Sequence, residues 1–429
     1  MATISTDAET RALRARWLLD PGVRFLNHGS YGACPREVLA EQTALRERME
    51  RQPVQFFRDL EGLLDGARRS LAALLGADAD DLGLVPNATT GVGCVLRSLE
   101  FSPGDELLTT DHAYNSCKNS LLLATRQGAR LVVAAVPFPL EDPQQVIDAI
   151  RAALTPRTKL ALIDHVTSAT GLVFPIAAIV SLLQARGIDV LVDGAHAPGM
   201  IPLALDSLGA AYYAGNCHKW LCAPKGSGFL HVRRDRQRPT APGAAARDSA
   251  LPPGLRELPA ILPWTISHGL NSARSDRSRF RLLWDQLGTL DATPWLCLPR
   301  ALQFLSGLFP GGLVELHGRN RTLALEGQRM LCEALGIARP APAEMLGALA
   351  SVPLPDRPAE QRPHPAGASQ DPLSLHLLER HQIEAPVFAW PDSKKRLLRI
   401  SAQAYVQPAE LAALAGALKT ELAAEGVRL

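Results

Sequence analysis

Short apolar runs alternate with longer amphipathic segments through the first two thirds of the chain. The apolar runs predict strands in DLGLVPN, DELLTTDH, ARLVVAAVPF, TKLALIDHV, IDVLVDGA, AYYAGNCH and GSGFLHV. Helical spacing between them predicts helices in segments such as REVLAEQTALRERMERQ, QQVIDAIRAAL and IAAIVSLLQARG. Because apolar strands separated by helices are typical of parallel sheets covered on both faces, the pattern predicts an α/β fold with a mostly parallel sheet sandwiched by helices.

The last third of the chain has a different pattern. A helical pattern, DATPWLCLPRALQFL, starts near Asp291, and proline-rich stretches at 237–254 and 351–372 predict loops. At 429 residues the chain exceeds a typical single domain. We therefore expect an N-terminal arm over 1–22, a large domain over 23–290 and a smaller C-terminal α+β domain over 291–429. Part of the N-terminal segment is expected to pack on the small domain.

Composition and charge exclude several functional classes. The chain is 47% apolar and 21% charged, and its net charge of +2 predicts neither nucleic acid nor an acidic membrane surface as a partner. No segment approaches the roughly 20 apolar residues of a membrane span, and the N-terminus lacks the apolar core of a signal peptide. The seven cysteines form no CxxC pair and no metal-ligand spacing. We expect a cytoplasmic protein with reduced thiols and no metal.

Two reactive side chains follow apolar runs, Asp193 in LVDGAHA and Lys219 in YAGNCHKW. Ligands of parallel sheets bind outside the carboxyl ends of the strands, where both residues are predicted to lie. A lysine amine forms a Schiff base with an aldehyde, and a carboxylate keeps a pyridine nitrogen protonated. Pyridoxal 5'-phosphate requires both groups, so the pair predicts this cofactor. The alternatives are an aspartate that caps a turn and a surface lysine, although the apolar WLCAPKGSGFL fits a surface lysine poorly.

A phosphate site is predicted where the strand DLGLVP meets the helical pattern after NATTG, residues 87–91. Backbone N–H groups at a helix N-terminus bind anions, which makes Ala88, Thr89 and Thr90 candidates. The alternative is simple N-capping by Thr89 or Thr90. Asn216 and His218, beside the lysine, are further candidate donors to the phosphate.

Three other segments offer contacts to the cofactor ring. In DHAYN, His112 or Tyr114 could stack on the ring, the alternative being a core tyrosine and a surface histidine. In DHVTSATG, a hydroxyl of Thr167 or Ser168 could donate to the phenolic oxygen or satisfy a turn. His196, three residues after Asp193, could lie under the ring or contact the same oxygen.

Arg399 lies inside a strand-like run, KKRLLRISAQAYV. An interior arginine needs an anionic partner, and the α-carboxylate of an amino-acid substrate matches its bidentate geometry. An intramolecular Asp or Glu is the alternative partner.

The ordered set of segments FLNHGSYG, NATTG, DHAYN, DHVTSATG, DGAHAPG, GNCHKW, GTLDATPWL and LRISAQ resembles the class V aminotransferase family of fold type I PLP enzymes, and within it the isopenicillin N epimerase-like branch. The resemblance covers the chain from about residue 24 to about residue 406. It implies a homodimer with shared active sites, in which Gly288 and Thr289 reach the phosphate of the partner subunit.

Carried over to this chain, the resemblance implies a role for each candidate residue. Lys219 carries the Schiff base, Asp193 pairs with the ring nitrogen, and Tyr114 stacks on the ring. The phosphate is held by Thr89 and its neighbours with Asn216 and His218, the substrate carboxylate by Arg399, and the substrate side is lined by His28, Ser30 and Tyr31.

The reaction expected from this resemblance starts with removal of the Cα proton by Lys219. An epimerase or racemase is favoured, with Tyr114 and His112 as candidates for a second proton donor. The alternatives are a carbon–sulfur lyase acting on a cysteine conjugate or sulfoxide, an aminotransferase, and a catalytically silent regulatory protein. Cysteine desulfurases carry a nucleophilic cysteine shortly before the carboxylate-binding arginine, whereas residues 333–399 contain none. No GxGxxG opens an early strand–helix turn, which disfavours a dehydrogenase.

Overall fold

The computed structural model describes residues 7–238, 259–356, 371–392 and 394–427. Its strands are β1 (Arg24–Phe25), β2 (Leu82–Val85), β3 (Glu106–Thr110), β4 (Arg130–Ala134), β5 (Thr158–Asp164), β6 (Asp189–Gly194), β7 (Tyr212–Asn216), β8 (Gly228–Val232), β9 (Leu349–Leu354), β10 (Ile383–Glu384), β11 (Val387–Ala389) and β12 (Arg396–Ser401). Each of the seven predicted strands is present, as β2 to β8.

Helices connect these strands. They are α1 (Asp7–Arg14), α2 (His28–Tyr31), α3 (Arg36–Arg51), α4 (Pro53–Leu75), α5 (Ala88–Ser98), α6 (Asn115–Ala124), α7 (Gln144–Ala153), α8 (Ile176–Gln184), α9 (Leu205–Leu208), α10 (Arg279–Asp285), α11 (Thr293–Leu296), α12 (Leu298–Ser306), α13 (Gly312–Leu335), α14 (Pro372–His381) and α15 (Pro408–Ala424).

The central sheet has the strand order β2-β8-β7-β6-β5-β3-β4. Strands β7, β6, β5, β3 and β4 are parallel to one another, and β8 is antiparallel to both strands beside it, β7 and β2. The predicted α/β class with a mostly parallel sheet is therefore confirmed.

Alternate residues of the central strands are buried in two different apolar cores. Leu162 and Leu191 belong to one core, to which α5 and α6 contribute, whereas Ile163 and Val192 belong to the other, with α4 and α8. Successive side chains of a strand point to opposite faces, so a sheet covered on both faces needs apolar residues at every position. This requirement explains the uninterrupted apolar runs of the sequence.

The C-terminal part of the chain forms a second, antiparallel sheet with the order β11-β12-β9. Helices α13 and α15 contribute to the apolar core beside it. The short strand β1 pairs in parallel with β10, which attaches the N-terminal segment to this smaller domain. The domain boundaries given above stay a prediction.

Two local predictions need correction. The helical pattern that starts near Asp291 forms two helices, α11 and α12, that meet at Cys297, because Pro299 lies in the first turn of α12 and begins a helix rather than continuing one. The second proline-rich stretch starts as strand, since residues 351–354 belong to β9, an edge strand that tolerates Pro353. Residues 239–254 and 357–370 of the two stretches lie outside the described residues.

Within the described part of the chain, no helix combines the length and the apolar character that crossing a membrane requires.

Candidate active site

A cavity of about 530 Å³ opens at the carboxyl ends of β5, β6 and β7. Eleven of the candidate residues predicted from the sequence lie around it, from segments far apart in the chain. Its lining consists of Ser30, Tyr31, Pro86, Asn87, Thr89, Thr90, Tyr114, Asp164, Val166, Ser168, Asp193, Ala195, His196, Asn216, His218, Lys219, Lys225 and Gly226.

Lys219 presents a buried amine to this cavity. Burial, and then the charge of the nearby Arg399, lower the pKa of its ammonium to about 7, against the opposing charge of Asp193. Its Nζ lies 3.0 Å from Nε2 of His196. Burial, and then the charge of Lys219, lowers the pKa of His196 well below its usual range, so this imidazole is neutral. A neutral Nε2 can accept a hydrogen bond from the amine of Lys219, and a lysine with a pKa near 7 is a competent base and nucleophile at neutral pH.

Asp193 is buried near the end of β6, with its carboxylate oriented by two donors. Oδ1 accepts a hydrogen bond from the backbone N–H of Ala195 at 3.0 Å, and Oδ2 accepts one from the thiol of Cys117 at 3.1 Å. Burial and the negative charge of Asp193 both raise the pKa of that thiol, which therefore stays a donor. The hydrogen bond from α6 was not predicted, because a lone cysteine in an amphipathic pattern carries no sequence signal for it.

A second buried carboxyl group lines the same cavity and was also not predicted. Asp164 ends β5 and is the register neighbour of Asp193 on β6. Burial, and then the charge of Asp193, raises its pKa well above the usual range of aspartate. The signal available in the sequence was the position of both residues at the ends of consecutive parallel strands.

The N-terminus of α5 points at the cavity with its backbone donors mostly occupied. The side chain of Asn87 caps the helix by accepting from the N–H of Thr90 at 2.9 Å, so the expected alternative of capping by Thr89 or Thr90 is wrong. The N–H of Ala88 donates to Oδ1 of Asn216 at 2.8 Å. Among the first helical residues, the N–H of Thr89 has no protein acceptor in the described part of the chain. Thr89 is thus the donor best placed for an anion.

His218 also faces this end of the cavity. Its Nδ1 lies 3.1 Å from the carbonyl oxygen of Ser227, which can only accept, so Nδ1 carries the proton. Burial lowers the pKa of His218 to about 4. In this neutral tautomer Nε2 is an acceptor, and a contact with an anion requires that the ring gain a proton.

Arg399 is buried in β12 directly behind the cavity lining. Its guanidinium donates to the carbonyl of Ser168 at 2.6 Å and to the hydroxyl of Ser30 at 3.0 Å, both of which line the cavity. Its Nε has no partner, and no carboxylate of the described residues lies within ion-pair distance. Burial lowers its pKa to about 10, which leaves it charged at neutral pH. An Asp or Glu partner is therefore absent from the described residues, and the buried cation is held only by neutral groups, behind the part of the wall formed by Ser30 and Ser168.

The segment NHGSYG supports Lys219 from behind. Nε2 of His28 donates to the carbonyl oxygen of Lys219 at 3.1 Å, and Nδ1 lies 2.9 Å from the hydroxyl of Tyr405. Gly32 has φ +68°, and a Cβ there would lie 2.0 Å from the carbonyl oxygen of His218. His28 therefore supports the backbone at the lysine, while Ser30 and Tyr31 of the same segment line the cavity.

The remaining candidates fall on different sides of the site. Tyr114 lies at the rim of the cavity, partly exposed, and Ser168 lines the wall near Arg399. His112 lies outside the lining, with Nδ1 bonded to Thr170 and its ring packed edge-on against Trp390.

The last two candidates occupy opposite environments. Thr167 is buried and bonded to Thr170 and Leu172, so its hydroxyl satisfies a turn. Thr289 is exposed and does not line the cavity of its own chain. Its expected contact with a partner subunit stays a prediction.

The donor set fits pyridoxal 5'-phosphate. Its three chemical needs are an amine, an anion partner for a ring nitrogen and a phosphate site, and Lys219, Asp193 and Thr89 meet them in one cavity. Buried polar atoms left without partners at this site, Oδ2 of Asp164 and Nδ1 of His196, also indicate that a polar group belongs there.

Comparison with known proteins identifies the family and the fold. The family model "Aminotransferase class-V" matches residues 35–250. The chain is 34% identical over 420 residues to isopenicillin N epimerase of Streptomyces clavuligerus, covering 96% of this chain and 98% of that protein. It is 30% identical over 411 residues to putative L-cysteine desulfhydrase 2 of Oryza sativa subsp. japonica, covering 92% and 79%.

A solved structure shares the fold at low sequence identity. The cystine C-S lyase C-DES, in complex with its reaction product cysteine persulfide, superposes with a TM-score of 0.71 at 21% identity and covers 93% of this chain and 98% of that chain. The resemblance drawn from the sequence motifs is therefore confirmed, and so is pyridoxal 5'-phosphate as the cofactor. The individual residue roles stay predictions.

The pKa of Lys219 leads to a prediction on pH. Since the amine loses its proton near pH 7, the rate at which cofactor-free protein captures pyridoxal 5'-phosphate should rise with pH around a midpoint near 7, measured by stopped-flow absorbance. Arg399→Gln removes a charge that lowers this pKa and should move the midpoint to higher pH. Lys225→Gln, which removes an exposed cation of the same cavity, should leave it in place. A wild-type midpoint near 10, the value of an ordinary lysine, would contradict the assignment.

The close approach of Gly32 to His218 leads to a prediction on stability. Gly32→Ala forces a Cβ into the backbone behind Lys219 at a positive φ, so it should destabilise the cofactor-free protein by at least about 2 kcal/mol in urea unfolding. It should also weaken cofactor binding, because the lysine backbone must shift. Gly62→Ala, on the exposed surface of α4 with open space around it, is the matched control and should be neutral or stabilising. Equal stability of the two variants would contradict the steric argument.

Proposed function

The chain belongs to the class V aminotransferase family of pyridoxal-phosphate-dependent enzymes, and we propose that it is an epimerase or racemase that inverts the Cα of an amino acid. The observation that supports this proposal is that a base and a ring-nitrogen partner, Lys219 and Asp193, line one cavity, with the carboxylate anchor Arg399 directly behind its wall at Ser168. Its relative in Streptomyces clavuligerus, which is named an epimerase, matches nearly the whole chain.

In this proposal each residue acts through a contact available at the cavity. The cofactor, when bound, withdraws electrons from the Cα of the substrate and so makes its proton acidic. Lys219 holds the cofactor and, once released, takes that proton on Nζ. Asp193 keeps a negative charge at the ring nitrogen. The phosphate is held by the N–H of Thr89, with the hydroxyl of Thr90 and the side chains of Asn216 and His218 beside it.

Arg399 fixes the substrate by its α-carboxylate. A buried guanidinium without a carboxylate partner in the described residues is costly, and an anionic substrate offsets that cost. Ser30 and Ser168 orient the guanidinium, and Tyr31 lies at the cavity rim beside them.

Inversion requires a second proton donor on the side of Cα opposite Lys219. His112, one of the two candidates, lies outside the cavity with its ring nitrogens bonded to Thr170 and to the carbonyl of Val136, so it is not placed to protonate Cα. Tyr114 lines the cavity, and its hydroxyl is close enough to Arg399 to act on the pKa of that residue. We assign Tyr114 as the second proton donor, in addition to its expected contact with the ring.

A carbon–sulfur lyase is the second candidate. Relatives named L-cysteine desulfhydrase are about 30% identical over most of the chain. Elimination needs Lys219 and a leaving group at Cβ but no second proton donor. No cysteine lines the cavity, and the seven cysteines are buried, so a route through an enzyme persulfide has no nucleophile at this site.

We further propose a homodimer in which Thr289 completes the phosphate site of the partner subunit. The exposure of Thr289 outside its own cavity and the likeness of GTLDATPWL to the family support this assignment. An aminotransferase reaction and the cytoplasm as location stay predictions from the sequence.

Proton NMR in heavy water tests the reaction. We expect the loaded enzyme to replace the Cα proton of a suitable L-amino acid by deuterium and to form its D-enantiomer. Tyr114→Phe should lower formation of the D-enantiomer at least tenfold while deuterium still enters the L-amino acid, because Lys219 is intact.

One result would contradict the epimerase proposal, and another would contradict only the role of Tyr114. Pyruvate and a released sulfur species from cysteine or its conjugates, without any D-enantiomer, would establish the lyase instead. Equal loss of deuterium exchange and of inversion in Tyr114→Phe would show that Tyr114 is not the second proton donor. The reaction type would then be decided by the products of the wild-type enzyme.

The carboxylate anchor is tested by kinetics. Arg399→Gln should lower kcat/KM for amino-acid substrates by about 100-fold or more, the effect of losing hydrogen bonds between charged groups, mainly through KM. The corresponding amino-acid amides, which lack the carboxylate, should lose much less. Parallel losses for both substrate classes would show that Arg399 acts on the fold of the site rather than on the substrate.

A further inference from the structure

Asp164 and Asp193 occupy equivalent positions on neighbouring parallel strands. They are register partners of β5 and β6, strands whose axes lie about 4.8 Å apart in any sheet. Residues at paired positions point to the same face, here the face on which Leu162 and Leu191 pack against α5 and α6. Both carboxyl groups line the same cavity.

The two carboxyl groups differ in their hydrogen-bond partners. Asp193 accepts from the thiol of Cys117 and from the N–H of Ala195, which stabilises its ionised form. Asp164 has backbone hydrogen bonds at Tyr114 and at its own residue, which lower its pKa by less than burial and the charge of Asp193 raise it. Its Oδ2 is buried and has no partner in the described residues, and Asp164 and Asp193 are only 3% and 2% exposed. The pair is therefore asymmetric, with Asp193 the better site for the negative charge.

The charged and titratable groups around the pair do not neutralise two negative charges. From α6 the thiol of Cys117 faces Asp193, and its own pKa is raised by both carboxyl groups. Lys219 and the neutral His196 line the same cavity, and so does Tyr114 at its rim. None of the described cations lies within ion-pair distance of Asp164. Two adjacent buried carboxyl groups in this setting cannot both ionise near neutral pH.

We propose that Asp164 and Asp193 hold a single proton between them, that Asp164 carries it as a neutral acid in the cofactor-free protein, and that a protonated ring nitrogen at Asp193 drives this proton into solvent. The O–H bond of Asp164 breaks, its electron pair stays on the carboxylate, and the proton passes to the buffer. Asp164 is thus a positioning residue that acts through Asp193. It is neutral in the cofactor-free protein and becomes ionised when a protonated ring nitrogen lies at Asp193. The raised pKa of Asp164 agrees with this role.

The sign of the resulting pH dependence follows from linkage. A cationic ring nitrogen lowers the pKa of Asp164, so the cofactor-bound protein holds fewer protons than the cofactor-free protein. Affinity for the cofactor therefore rises with pH between the lower, bound pKa of Asp164 and its higher, free pKa. This dependence does not rest on whether the enzyme is an epimerase or a lyase, because it concerns binding alone.

Infrared spectroscopy of the cofactor-free protein tests the first half of the proposal. We expect a protonated-carboxyl C=O band at pH 7 that shifts when aspartate is labelled with ¹³C at the side-chain carboxyl, and that is lost in Asp164→Asn. Asp164→Ser, a small neutral alternative, should lose the same band if the asparagine variant does not fold. A wild-type spectrum in which no protonated aspartate band depends on residue 164 would overturn the proposal.

Proton release on binding tests the second half. The probe is pyridoxine 5'-phosphate, which has the ring nitrogen but no aldehyde, so that no bond to Lys219 contributes. Mixed at about pH 7 in weak buffer with an indicator dye, wild-type protein should release up to one proton more per site than Asp164→Asn.

Two controls separate this outcome from a general effect of binding. Asp81 is a buried carboxyl with a pKa raised to about 6 by burial, remote from the cavity and bonded to Gln237, so Asp81→Asn should behave as wild type. An analogue with CH in place of the ring nitrogen should release no additional proton from the wild-type protein. Equal release by wild type and Asp164→Asn, with both binding the probe, would overturn the role of Asp164 and leave the proposed reaction untouched.

Discussion

Burial of charged groups without full compensation is the constraint on which the site depends. Asp193 and Lys219 lie at the carboxyl ends of parallel strands of the central sheet, and Arg399 lies in the antiparallel strand β12 of the smaller sheet; Asp193 and Arg399 are buried, and the amine of Lys219 is buried as well. Burial lowers the pKa of the Lys219 ammonium, so its amine can act as a base near neutral pH. Arg399 has no carboxylate partner in the described residues. Because burying a charge without a full partner is costly, a cofactor and a substrate with complementary charges stabilise these groups when they bind.

Holding these groups together requires contacts between distant parts of the chain. The N-terminal segment is bonded to the C-terminal strand β12, where the N–H of Gly29 donates to Oγ of Ser401 at 3.0 Å. The same segment contacts the backbone of Lys219 through His28 and the guanidinium of Arg399 through Ser30. The catalytic lysine and the carboxylate anchor are therefore positioned by one hydrogen-bonded segment, which explains why NHGSYG belongs with the site although only part of it lines the cavity.

The sequence predicted the sheet because a strand buried on both faces must be apolar at every position, as in β5 and β6. It also predicted that Lys219 and Asp193 lie at one site, since the carboxyl ends of parallel strands meet at the same edge of a sheet. Their individual roles stay predictions. It could not predict which residue caps α5, because Asn87, Thr89 and Thr90 are all able to do so, nor that His112 packs against Trp390, a contact between residues 278 positions apart in the sequence. Asp164 and Cys117 were missed for the same reason, because their importance comes from lateral neighbours on another strand or helix rather than from their own segments.

The same burial acts in opposite directions on the two kinds of group at the site. It lowers the pKa of the Lys219 ammonium and raises that of the Asp164 carboxyl, so both side chains are driven toward their neutral forms. Admission of water would protonate the lysine and ionise the aspartate together, which would remove the base and place a second negative charge beside Asp193. Burial of these two side chains therefore favours the neutral form of both groups at once. Residues that only shape the backbone beside Lys219, such as Gly32 against His218, consequently influence the position of the base although they do not line the cavity.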